Sequence, residues 1–490
     1  MTILRKHAIA LLVSLGLSAI SLGQIRATWG PPQVASAPAI EPLGIDKALA
    51  GVIGPDIIVS RLDFIAKQGT VGGITGYALS TTSCNVGDTS AEWFVSGPGP
   101  NRHPLIAQNI YRYRDGRLEQ IGMSWIKHGF CAADTSDPAY CMPCTPDSSC
   151  SFLTVGCSDT YTTFHNADQE HLGPRSEVNA ATGSYPYPYV LNWGSGPYDA
   201  IEKRLRVSNN DLDPIQNPGA RYFLEGYYLT TDEQDWGTQY NNASYRECFV
   251  GTLSGGGYNL VYGAPDIEQQ KTALHAWQDL DPGVMITTVD VPGDGRLYIG
   301  SRATDNGDGT WHYEYAIYNY NSDRGAGRMS VPLSCASPVN IGFHDVDYHS
   351  DEPYDGADWP SAIVDDVLTW ATDDEVLNAN ANAVRWNTMY SFRFDAAAPP
   401  ANGQVDVGLF KAGALSAVTA AAVVPAAAAC SGDLTGTAGV VEVSDLLAML
   451  AAWGPGSDPA DITGSPQGCP DGQVSVADLL ALLAQWGSCP

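Results

Sequence analysis

The stretch "VMITTVDVPGDGRLYIGSRATDNGDGTWHYEYAIYNYN", Val284 to Asn321, decides the fold class. Two β-branched, apolar runs flank "PGDG", and a short Pro/Gly/Asp connection between such runs predicts a hairpin. "TDNGDGT", Thr304 to Thr310, resembles a calcium loop in composition, but strand-like residues flank it, so it reads as a second hairpin turn. Beyond it Trp311, Tyr313 and Tyr315 alternate, which places them on one face of a strand. Aromatic and β-branched side chains suit a pleated, half-buried surface.

The same punctuation runs through most of the chain. "GRLEQIGMSWIKHGF", Gly116 to Phe130, predicts a strand with Ile121, Met123 and Trp125 on one side. Amphipathic helices are scarce in this region; "DIEQQKTALHAWQDL", Asp266 to Leu280, is the best candidate, with Leu274, Trp277 and Leu280 on one face. The expectation is a mainly β, β-sandwich-like body in two subdomains, residues 51–275 and 276–410. "KAGALSAVTAAAVVPAAAA", Lys411 to Ala429, shows no core pattern and predicts a linker, with a short helix as the alternative.

The start of the chain and the bulk composition predict an exported protein. Arg5, Lys6 and His7 precede an apolar run, and "SLGQ" offers small residues for cleavage after Gly23, so residues 1–23 read as a signal peptide and 24–50 as a Pro/Ala-rich leader. No later run is long enough to span a bilayer. The chain has 490 residues and a net charge of −29. Such a surface repels phosphate backbones and anionic lipids, so nucleic acid is disfavoured as a partner. Eleven cysteines in an exported chain predict disulfides, and the odd count leaves at least one unpaired. Cys131, Cys141, Cys144, Cys150 and Cys157 crowd one stretch; "CMPC" leaves disulfides and a zinc site both open.

The chain closes on a duplication. "VEVSDLLAMLAAWG", Val441 to Gly454, returns 33 residues later as "VSVADLLALLAQWG", Val474 to Gly487, with ten of fourteen positions identical. Val443, Leu446, Leu447, Leu450 and Trp453 form one helical stripe, and Val476, Leu479, Leu480, Leu483 and Trp486 form its copy. One such helix cannot bury its stripe, so the two are expected to pack face to face.

An Asp/Thr/Gly loop precedes each helix. With "DLT…G…V.VSDLLAMLAAWG" and "DIT…DGQVSVADLLALLAQWG", residues 430–490 resemble a dockerin, a small α-helical, EF-hand-like module, and more narrowly the dockerin-like tails of secreted planctomycete-type bacterial proteins. The resemblance implies calcium-assisted folding and attachment to a cohesin-like or other cell-surface anchoring protein. Calcium needs oxygen ligands on a tight loop. The first loop offers Asp433, Thr435, Thr437 and Asp445, with Glu442 nearby; Ala438 makes it one residue too long. The second offers Asp461 and Thr463, then the insertion "SPQGCP", then Asp471 and Asp478. Both have fewer carboxylates than a strong site, so a helix pair held instead by disulfides among Cys430, Cys469 and Cys489 stays open.

In the body the densest polar stretch is "HDVDYHSDEPYDGADW", His344 to Trp359. His344, Asp345, Asp347 and His349 are either metal ligands or part of a solvated acidic loop, and His103 and His128 could converge on them. "YPYPYVLNW" sets Tyr185, Tyr187, Tyr189 and Trp193 within nine residues, either stacking platforms for sugar rings or packing. No nucleophile elbow, H-E-x-x-H or phosphate-binding loop is present. The expectation is a secreted protein displayed through its tail, with a body associated with polysaccharide. The alternatives are an extracellular metal-dependent enzyme built on residues 344–349, and a structural element of the envelope.

Overall fold

The computed structural model describes residues 54–94, 101–190, 198–264, 266–426, 431–436, 440–456, 458–463 and 469–488. The signal and leader segments, Trp193, Thr437, Cys430 and Cys489 lie outside the described residues. The chain is mainly β, as expected, with antiparallel sheets and only short helices.

The opening stretch forms two consecutive hairpins. Met285–Asp290 pairs with Arg296–Asp305, which pairs with Trp311–Asn319, Asp305 facing Trp311 across "NGDGT". Thr388–Ala396 and Val339–His344 complete this five-stranded sheet. A second five-stranded sheet runs Ser361–Val364, Val367–Ala371, Ala326–Pro332, Pro400–Leu409 and Ala417–Pro425. Ile299, Tyr313, Tyr315, Phe392 and Phe394 of the first sheet share one apolar core with Met329, Trp370, Val407 and Ala420 of the second.

The last strand replaces the expected linker. Ala417–Pro425 pairs along its whole length with Pro400–Leu409, and Val418, Ala420, Ala422 and Val424 point inward. Alanine has low strand propensity, so composition hid an alternation that packing uses. The predicted helix from Asp266 is also shorter, spanning Leu274–Leu280. Upstream, Glu268 exchanges backbone hydrogen bonds with Tyr245, which holds that segment extended against a strand.

Among the described residues, 57–262 build four further sheets, the largest of seven strands centred on Leu105–Arg114 and Arg221–Leu229. Ile121 and Met123 do not share a face. The pairing steps from Ile110–Gly122 to Tyr111–Gln120, so Ile121 is the extra residue of a bulge. Ile121 enters one core and Met123 another.

Among the described residues, no sheet mixes strands from before residue 263 with strands from after 284. The cores do not divide there. Strand Trp311–Asn319 turns Tyr313, Tyr315 and Ile317 into the C-terminal core, and Ala316 and Tyr318 into a core shared with Tyr111, Phe223 and Tyr227. Buried polar groups reinforce this joint. The Glu225 carboxylate accepts from Asn109 at 3.0 Å, Tyr111 at 3.1 Å, Tyr318 at 2.9 Å, Asn387 at 3.2 Å and the Ala273 N–H at 2.7 Å. The Arg175 guanidinium donates to Asn109 Oδ1 at 3.0 Å and Asn387 Oδ1 at 3.1 Å. A hydrogen-bonded network of this kind links the two halves through their shared core.

Three disulfides, Cys84–Cys141, Cys131–Cys150 and Cys144–Cys157, staple the loop-rich segment around residues 131–157. Cys141 and Cys144 bond different partners, which removes zinc ligation by "CMPC". Cys248 is the free cysteine among the described residues, and it is buried.

Candidate functional site: the C-terminal helix pair

The tail is two copies of one unit. Helices Val443–Ala451 and Val476–Ala484 both start in a capping box, Glu442 with Asp445 and Ser475 with Asp478. The two-residue strand before each helix pairs with the one after the other helix: Val440–Val441 with Gly487–Ser488, and Gln473–Val474 with Gly454–Pro455. This exchange gives the pair an approximate twofold symmetry.

The expected face-to-face packing of the stripes does not occur. The tail core is small: Val441, Met449, Ala460, Val474 and Leu482, with Leu446 and Leu479 against it. The rest of each stripe faces solvent, and equivalent positions match. Val443 and Val476 are each 60% exposed, and Leu447 and Leu480 each 62%. Leu450, Leu483, Trp453 and Trp486 are exposed in the same way. Each helix therefore has two apolar faces. The narrow one, through Leu446 and Met449 or Leu479 and Leu482, fills the core; the other stays open.

A fourth disulfide, Cys335–Cys469, joins the second loop of the tail to the turn after strand Ala326–Pro332. The expected pairing among tail cysteines is thus corrected for Cys469, whose partner is in the body. Asp366 lies beside this bond, its carboxylate accepting from the Cys335 N–H at 2.9 Å.

The loop carboxylates are spent on the backbone. Asp445 and Asp478 are buried and accept hydrogen bonds from loop N–H groups. Burial alone would raise their pKa values; these bonds outweigh it and hold both below the ordinary range. Asp461 accepts from the N–H groups of Asp471 at 3.1 Å and Gly472 at 2.6 Å, while the exposed Asp471 caps the Gln473 N–H at 3.0 Å. Thr435 lies against Asp445, and Thr463 donates its N–H to Asp478.

The residues around 344 take separate roles. His344 Nε2 bonds the Gln120 carbonyl at 3.0 Å, and His349 Nε2 bonds that of Met123 at 2.9 Å. His349 Nδ1 is paired with Ser350 Oγ at 2.9 Å. Burial pushes the His349 pKa down to about 3, and Arg206 and Arg175 add to the effect, so the ring is neutral. Asn382 donates to Asp345. His344, Asp345, Asp347, His349 and Arg206 line a cleft of about 110 Å³, smaller than ordinary ligand pockets. Among the described residues, the one group of three His, Cys, Asp or Glu ligand atoms within ion-sharing distance is Cys335, Asp366 and Cys469, and there the sulfurs are bonded to each other. His103 and His128 pair with one another, Nε2 to Nδ1 at 2.9 Å, and not with His344 or His349.

That histidine pair gathers the tyrosines. The buried Tyr185 hydroxyl accepts from the His103 N–H at 2.9 Å and donates to the His103 carbonyl at 2.5 Å. Tyr187 packs its ring on His103, His128 and Phe130, and Tyr189 lies over His128 with its hydroxyl on the Glu170 carbonyl. Their faces meet protein, which favours packing over open stacking platforms. Sequence reasoning missed Lys203, which is buried with its ammonium over Trp125, Tyr198 and Tyr189. It also missed the Arg175–Glu225 network. These partners are tens to hundreds of residues apart, so no local pattern announces them.

No family model and no curated protein matches the chain. Among solved structures it is similar to a serine-rich repeat adhesion glycoprotein from Streptococcus agalactiae, at 9% identity and a TM-score of 0.18, covering 75% of this chain and 98% of that one. It is similar also to the B domain of a biofilm-associated protein, at 9% identity and a TM-score of 0.15, covering 75% and 85%. Likeness at these scores carries no argument about fold or activity.

Proposed function

We propose that this is an extracellular protein held to a surface-bound, cohesin-like anchoring partner through the exposed stripes of its C-terminal helix pair. The matched exposure of Val443/Val476, Leu447/Leu480, Leu450/Leu483 and Trp453/Trp486 carries the reading. Burying one such side chain from full exposure is worth about 1.5–3 kcal/mol; these are about half exposed, so covering each adds about half of that. The four disulfides support maturation in an oxidising compartment. The dockerin resemblance supports a protein partner. No ligand is assigned to the body, because Tyr185 is committed to His103 and the cleft at His344 is small.

The test is sedimentation of the purified full-length protein with envelope fractions of the source organism, beside Leu447→Asp/Leu480→Asp. Saturable binding that falls about tenfold or more in the double variant supports the proposal, since 1.4 kcal/mol of lost burial is tenfold. Equal binding by both proteins, or none by either, overturns it. Concentration-dependent self-association lost in the double variant would instead assign the stripes to a second copy of this chain.

A further inference from the structure

The dockerin resemblance implies calcium in both tail loops, and the residues present do not fit it. In an ion-binding loop the closing carboxylate turns its oxygens to the cation. Here each closing carboxylate turns one oxygen to the start of its own loop and the other to the residue that caps its helix. Asp478 Oδ1 accepts from the N–H groups of Ile462 and Thr463, each at 2.9 Å. Asp478 Oδ2 accepts from the Ser475 N–H at 2.7 Å and the Ser475 hydroxyl at 3.2 Å. The first repeat does the same with different residues. Asp445 Oδ1 accepts from the Thr435 N–H and hydroxyl, both at 2.9 Å, and Asp445 Oδ2 from the Glu442 N–H at 2.8 Å.

An N–H group aimed at a carboxylate lone pair occupies the place of a cation and carries the same sign of charge. Ion and amide therefore compete for the same lone pairs, and five amides hold them: those of Thr435 and Glu442 at Asp445, and those of Ile462, Thr463 and Ser475 at Asp478. The loops differ from an ion-binding pattern in other ways. Ala438 lengthens the first, and the insertion in the second brings Cys469 to its bond with Cys335. Among the described residues of the tail, no three acidic ligands lie within reach of one ion.

We propose that the tail folds without metal. Asp445 and Asp478 act as internal anions that gather the loop amides, and the Cys335–Cys469 bond fastens the second loop from outside. The helix pair is then presented at any calcium concentration, and this holds whether or not its stripes dock a partner.

Amide hydrogen exchange on the full-length, oxidised protein tests the inference, with and without a calcium chelator and then with excess calcium. The expected result is equal, strong protection of the Leu434–Thr435 and Ile462–Thr463 amides in both conditions. Asp478→Ala should speed exchange at Ile462 and Thr463 by roughly 10–100-fold, the range for a lost hydrogen bond to a charged group, and calcium should not restore it. Asp478→Asn, which keeps one acceptor oxygen and the fold, should lie between. Protection in the wild-type chain that appears only with calcium overturns the proposal, as does absent protection in both conditions. An Asp478→Ala chain that exchanges like the wild type overturns it equally.

Discussion

Cys335 and Cys469, 134 residues apart, are joined by a disulfide that ties the second loop of the tail to the body. Chain-entropy reasoning assigns a closure of this length about 5 kcal/mol relative to the open unfolded chain. The tail is thus covalently fastened to the body at its second loop. Cys335→Ser/Cys469→Ser should leave the body's melting transition in place and separate from it an earlier transition for the tail. Differential scanning calorimetry checks this; a single unchanged transition would show that the bond does not couple the two parts.

The Glu225 carboxylate draws four side-chain donors and one amide into the joint between the two halves. Glu225→Ala leaves Asn109, Tyr111, Tyr318 and Asn387 short of an acceptor in a site closed to water. Leaving buried donors unpaired costs about 1–3 kcal/mol for each group that finds no other acceptor. Chemical denaturation should show a loss of that size, with the midpoint falling for both halves together. A loss confined to one half would mean that the shared core does not couple them.

Strand Ala417–Pro425 makes a sharp contrast between neighbours. Ala422 is buried and Ala421 exposed. Ala422→Asp places an unpaired charge in the core and should cost more than about 3 kcal/mol, whereas Ala421→Lys should stay within about 0.5 kcal/mol. Equal tolerance of both substitutions, read by thermal melting, would restore the linker reading.

Acid should weaken the body through His349. Its folded pKa is depressed to about 3 by burial, below the unfolded value near 6.5. The unfolded chain therefore takes up the proton first. The stabilisation is complete above the unfolded pKa and is lost as pH falls from about 6.5 towards 3. His312 works in the opposite sense: its ring donates hydrogen bonds to the Glu314 and Asp395 carboxylates, which raise its pKa against the cost of burial, so its contribution is lost as pH rises through that raised value. Denaturant midpoints measured across this range, compared with those of His349→Gln, should show a shallower acid limb in the variant. An identical acid limb would remove His349 as its source.

The strand pattern was legible because alternation and turn residues are local signals. "PGDG" and "NGDG" sit between runs whose inward residues, Leu297, Ile299, Tyr313 and Tyr315, are buried as the spacing demands. The strand at 417–425 was not legible, because its inward alanines look like linker. The duplication in the tail was plain, yet its apolar stripe pointed the wrong way. Each helix carries apolar residues on two faces, and sequence periodicity does not say which one a small core will take. The wider stripe was expected inside; the core of Val441, Met449, Val474 and Leu482 has room only for the narrower. The residues His344 and His349 were marked by composition, and their hydrogen bonds to Gln120 and Met123 come from a strand more than two hundred residues upstream.

The central claim is that the twin stripes are a docking surface, and oxidative footprinting of the full-length protein tests it most directly. Trp453 and Trp486 are 45% and 46% exposed and should label readily in the free protein. On addition of envelope fractions at saturating amounts, the account predicts protection of one or both tryptophans, with the body's exposed Trp236 unchanged. Retention on the envelope with Trp453 and Trp486 fully labelled, and protection appearing on the body instead, would contradict it.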